Sequence, residues 1–134
     1  MSAEAIPANR VMIRWPWATR WDLELSVHLL QAAARRAGVT APVDVAAISG
    51  FPAGLHVYGV TARQLVTGLT AHVSANERLC EQVVSLSPRT PTGEIDQATV
   101  PEHLQARWDR LEKETDHAIA LRMAIVRSEG ENDG

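Results

Sequence analysis

The chain is short of several features that most readily announce a function, and each shortage removes a class. Cysteine occurs once, as Cys80, so no disulfide can form within the chain, which suits a reducing cytoplasm. The five histidines, His28, His56, His72, His103 and His117, show no His-Glu-x-x-His or similar ligand spacing, so no metal or other cofactor is expected. No stretch of the chain approaches the roughly 20 consecutive apolar residues needed to cross a bilayer, and MSAEAIPANR, with Glu4 and no apolar run, does not read as a signal peptide. Gly50 and Gly54 bracket Phe51-Pro52 without a following lysine, so there is no loop built to cradle phosphate. Lys113 is the sole lysine, and the formal net charge of -3 argues against a surface given over to nucleic acid or anionic lipid, leaving room only for a local basic patch.

What is present suffices for one folded domain. The 134 residues are 46% hydrophobic and 22% charged, enough to bury a single core without a partner. Val11 to Trp15 is branched and apolar and is stopped by Pro16, which predicts a strand with Val11, Ile13 and Trp15 facing inward. Thr19 to Asp22 has the form of a capping box opening a helix to about Ala37, with Leu23, Val27, Leu30, Ala34 and Ala37 as its apolar stripe and Gly38 as its stop. Two short strands, Val43 to Ser49 and Leu55 to Val60, then flank a hairpin-sized linker holding Gly50, Pro52 and Gly54.

Two long helices are expected to follow. Thr61 with Gln64 is a capping box that opens the first, and Pro88 closes it. Thr99 with Glu102 has the same form at the start of the second, which should run to about Arg127. Leu65, Leu69, His72, Asn76, Leu79, Val83 and Leu86 step by four and three along the first, the spacing of a helical seam. Leu104, Trp108, Leu111, Thr115, Ala118, Arg122 and Ile125 do so along the second, and residues 88–98 form an exposed connection. The matched lengths predict a long antiparallel C-terminal helical hairpin.

The order strand, helix, strand, strand, helix, helix defines an α+β protein, βαββαα. It resembles a ferredoxin-like fold whose small three-stranded sheet lacks a fourth strand, a likeness of fold alone. The expected organisation is a single domain over 1–128, with a head at 10–60 and the hairpin at 61–127, followed by a disordered acidic tail at 129–134. A three-stranded sheet covered by helices on one side leaves an open face or an unpaired edge, which favours self-association.

The candidate interaction residues follow from this plan. Arg14, Trp17, Arg20 and Trp21 belong to an eight-residue stretch carrying three of the four tryptophans, and tryptophan and arginine are enriched at binding hot spots. His72 and Asn76 are polar positions within a seam, of the kind that set register or partner choice, and Trp108 is the large aromatic of the other seam. His56 and Tyr58 fall on one side of the third strand and would serve a small-molecule site or an enzyme working on an open sheet face. Glu24 and His28, one helical turn apart, could bind a metal only with help from other elements. His72 lies about 12 Å along the helix from Cys80, too far to activate its thiol, so Cys80 reads as a small buried hydrophobe.

No nucleophile and base can be paired from the sequence. The leading expectation is therefore a non-catalytic protein–protein interaction or accessory protein of the cytoplasm, self-associating through its long helices, as a homodimer, and docking on an unidentified protein partner. A small-molecule-binding protein or enzyme, and a nucleic-acid accessory protein using the Arg/Trp-rich turn, stand behind it.

Overall fold

A computed structural model of the protein describes residues 10–14, 23–48 and 54–133. Among the described residues, three strands and three α-helices make a mixed α+β fold. β1 (Arg10–Arg14), β2 (Asp44–Ile48) and β3 (Gly54–Tyr58) form one antiparallel sheet in the order β1-β3-β2. Strand alternation sends Val11, Ile13, Leu55 and Val57 to one face, where Val11 sits opposite Val57 and Ile13 opposite Leu55, all four buried. The first strand begins one residue earlier than the sequence suggests, and Trp15 and the Thr19–Asp22 cap lie outside the described residues.

α1 (Leu23–Arg36) buries Ser26, Leu29, Leu30, Ala33 and Ala34. The expected stripe is thus rotated: Leu23 is exposed and Val27 only half-buried, while Ser26, Leu29 and Ala33 face inward. The cause is a close helix–helix approach in which Gly68 of α2 (Ala62–Leu86) lies against the backbone of Ala33, so that a β-carbon at position 68 would collide with the Ala33 carbonyl. The end of α1 is as read: Gly38 takes a φ of 90°, its amide donates to the Arg35 carbonyl at 3.0 Å, and Val39 donates to Ala34 at 2.9 Å, a Schellman stop.

α2 opens on a complete capping box. The Gln64 amide donates to the Thr61 hydroxyl at 3.1 Å and the Thr61 amide to the Gln64 side chain at 2.9 Å. Of its expected seam, Leu65, Leu69, His72, Asn76 and Val83 are buried, Leu79 is half-buried, and Leu86 at the end is 65% exposed.

α3 (Glu102–Asp133) follows a connection that contains a short 3₁₀ turn at Gln97–Thr99. The Thr99–Glu102 capping box does not form: the Thr99 hydroxyl is turned back to donate to the Asp96 carbonyl, while Gln105 donates to Pro101 at 3.1 Å to begin the helix. The far end differs too, because α3 runs past Arg127 to Asp133, through the stretch expected as a tail. Buried Ser128 gives a reason, since its hydroxyl accepts from the Arg14 amide at 2.9 Å and ties this part of α3 to β1.

α2 and α3 run side by side in opposite directions. Arg122 donates to the Thr70 hydroxyl at 3.2 Å near one end, and Val83 packs with Leu104 and Leu111 near the other. One apolar core unites β1, β3, α1, the first part of α2 and the last part of α3 around Ile13, Leu30, Val57, Leu69, Leu121 and Ile125. The seam residues of the two long helices are therefore largely consumed within the chain.

Candidate functional site

Because Leu55 and Val57 point into the core, the same alternation sends Gly54, His56 and Tyr58 to the opposite face of β3. The strand register then builds three rows across that outer face. Arg10, Tyr58 and Asp44 form the first, Met12, His56 and Ala46 the second, and Arg14, Gly54 and Ile48 the third. Arg10, Arg14, Asp44 and Ile48 are exposed, and Met12, Ala46 and Tyr58 are half-buried.

His56, at the centre, is only 6% exposed, and both ring nitrogens are buried without a hydrogen-bond partner. Burial, with the nearby Arg10 guanidinium second, lowers its pKa, so near neutral pH it is an uncharged imidazole with one donor and one acceptor nitrogen, both unused. Its ring lies 6.5 Å from that of Tyr58, inclined at 34°. Arg10 and Asp44 carry opposite charges at the two ends of one row, separated by two strand spacings, roughly 10 Å, and no ion pair of either is found among the described residues.

The other candidate positions fall elsewhere. His72 and Asn76 are 7% and 4% exposed on the inner side of α2, and Arg36 of α1 donates from Nε to His72 Nδ1 at 3.3 Å. His72 Nε2 and the Asn76 amide nitrogen are buried without partners. Desolvation lowers the His72 pKa, helped by Arg36 and His28 and opposed by Glu114. His28 stands 4.0 Å from Glu114, and among the described residues no group of three or more His, Cys, Asp or Glu side chains is placed to hold a metal ion.

Cys80 is half-buried against the cluster of Val83, Leu104 and Leu111, with desolvation foremost and Glu112 and Glu77 next in raising its thiol pKa, which leaves it a poor nucleophile. Trp108 packs on the same cluster and donates its indole N–H to Glu112 at 2.9 Å. It also borders a cleft of about 170 Å³ with Val84, Ile95 and Val100, smaller than the roughly 300 Å³ at which small-molecule pockets begin. Trp17, Arg20 and Trp21 lie outside the described residues.

A serine–histidine contact invisible to sequence spacing joins Ser26 Oγ and His117 Nε2 at 2.7 Å, bridging α1 and α3. Ser26 is fully buried, so no substrate can reach its hydroxyl, and the contact acts as a polar link between helices. Reading the sequence also missed Arg10 and Asp44, which share a row with Tyr58 only because of the pairing register. A basic residue before one apolar strand and an acidic one opening another are too common to signal a site by themselves. Comparison of the chain with models of protein families, with curated protein sequences and with solved structures finds no match.

Proposed function

We propose that the chain is a non-catalytic, self-associating interaction protein of the cytoplasm whose docking surface is the outer face of its sheet. One observation carries the reading: Arg10, Arg14, Asp44 and Ile48 stand exposed around that face, setting charges of both signs beside an apolar side chain where a partner's complementary surface can meet them. The β1-β3-β2 order, with β3 antiparallel to both neighbours, also supports reading the sheet as the first three strands of a ferredoxin-like arrangement, with α3 near Ser128 beside β1 where a fourth strand would pair.

A photo-cross-linking benzoylphenylalanine at position 46 tests the surface, with positions 67 and 123 as controls on the helices. Protein adducts formed from position 46 and not from the controls are expected. Adducts only from position 123 would move the docking surface to the helices, where Met123 and Val126, 56% and 58% exposed, offer an apolar stripe for the association of long helices. The small-molecule reading keeps His56 and Tyr58 as its residues, and saturable binding from a metabolite panel that is lost in His56→Ala would favour it.

A further inference from the structure

Two stripes of α3 flank its buried line of Leu104 and Leu111, and they differ in charge. His103, Arg107, Arg110 and Glu114 recur at three- and four-residue spacing on the side of α1, where Glu114 lies 4.0 Å from His28. Gln105, Trp108, Asp109 and Glu112 recur on the other side. There the Gln105 amide donates to Asp109 Oδ1 at 3.0 Å and the Trp108 indole to Glu112 Oε2 at 2.9 Å. The far end of the helical hairpin thus carries its arginines on one side and its carboxylates on the other.

The acidic side holds the cleft formed by the end of α2, the connection and the start of α3. Val84, Ile95, Val100 and Trp108, all half-buried, give it apolar walls, and Leu104 lies 6% exposed among them. Gln97 and Gln105 are exposed at its edge, and their carboxamides are groups able to pair with a peptide backbone. A volume of about 170 Å³ is too small for a metabolite and is comparable to one large apolar side chain. That size suits a protein anchor, because interfaces concentrate their binding energy in single residues seated in such pockets.

Charge decides what flanks the anchor. Exposed Glu94 adjoins Ile95, exposed Glu102 lies between Val100 and Leu104, and Asp109 and Glu112 are tied to Gln105 and Trp108. Against these stands Arg89, whose guanidinium donates to the Val84 and Gly93 carbonyls at 3.4 and 3.3 Å and is spent on the negative end of α2. Asp109 and Glu112 each accept one hydrogen bond, and no ion pair of either is found among the described residues. A lysine or arginine beside the anchor would meet these carboxylates, whereas an acidic segment would be repelled.

We propose that this cleft is a docking site for a basic protein segment, which seats one aliphatic or aromatic side chain against Trp108 and sets a neighbouring lysine or arginine beside Asp109 and Glu112. The site is separate from the outer sheet face and does not rest on it. The contact is small, so the complex is transient.

Random dodecapeptides displayed on phage and selected on the full chain supply the probe, and the enriched peptides are then titrated, free in solution, into isotope-labelled protein followed by NMR. They are expected to share one leucine, isoleucine, methionine or phenylalanine close to a lysine or arginine. They should also shift the Trp108 indole signal, which its absence in Trp108→Phe identifies. The double variant Asp109→Lys with Glu112→Lys, changed at exposed positions, should bind at least tenfold more weakly, and added salt should weaken wild-type binding. Arg107→Asp with Arg110→Asp, on the opposite stripe, should not weaken it. Circular dichroism of each variant checks that the fold is kept.

Failure to enrich any peptide, enriched peptides without a basic residue, shifts at the amides of β3 in place of Trp108, or undiminished binding to Asp109→Lys with Glu112→Lys each overturns the proposal. None of these outcomes bears on cross-linking from position 46, so the cleft and the sheet face fail separately.

Discussion

His72 shows how one side chain comes to govern the response to acid. Its Nδ1 accepts from Arg36, so the neutral ring carries its proton on Nε2, and protonating Nδ1 would set a second donor against the guanidinium. With the folded-state pKa lowered from 6.5, the unfolded chain takes up the proton first as pH falls. The stability that depends on neutral His72 is whole above about pH 6.5 and is lost as pH drops from there toward the folded-state value; His56 acts in the same direction. Urea denaturation should therefore give a lower midpoint at pH 5.5 than at pH 8, with a smaller difference in His72→Gln. An equal difference in both proteins would remove His72 from the account. Gly68 is the other residue of note, because it lets α2 lie against Ala33. Gly68→Ala should gain up to about 1 kcal/mol of helix propensity and still lose on the order of 1–3 kcal/mol net to backbone displacement, read as a fall in the urea midpoint.

Among the elements, the two threonines before the long helices have the same sequence form and different fates. Thr61 completes its box with Gln64, whereas Thr99 is drawn into the 3₁₀ turn by the Asp96 carbonyl and α3 starts at Glu102 without it. Thr61→Ala should cost about 1 kcal/mol, and Thr99→Ala should fall within about 0.5 kcal/mol of wild type; equal losses in thermal or urea unfolding would contradict this difference. The α2 box is legible in the sequence because every group in it lies within four residues. The register of α1 is not, since Leu23 and Val27 make as good an apolar stripe as Leu29 and Ala33 until Gly68 sets which side faces α2. The four-three seam of α2 holds as far as Val83, but Leu86 is exposed where the chain turns away toward Ser87 and Pro88.

At the scale of the whole molecule, the edge of the sheet is joined to the last helix. The Arg14 amide has its partner in Ser128, 114 residues away, and this contact accompanies the continuation of α3 to Asp133. Ser128→Ala would leave that amide unsatisfied in a part-buried site, so a loss of about 1–3 kcal/mol is expected, with faster hydrogen exchange at Arg14 than at the amides of Val11 and Ile13, which face β3. Unchanged exchange at Arg14 would show that the serine does not hold the edge. By itself the sequence determined what depends on near neighbours: the strands, the capped start of α2, the glycine stop of α1, the apolar spacing of both long helices and the placing of His56 and Tyr58 on one side of a strand. Only the tertiary structure decided the strand register that lines Arg10 and Asp44 beside Tyr58, the burial of His56 and His72, the rotation of α1 and the extension of α3. Those outcomes join residues tens of positions apart, where many pairings satisfy the same local pattern, and close packing with satisfied polar groups selects among them.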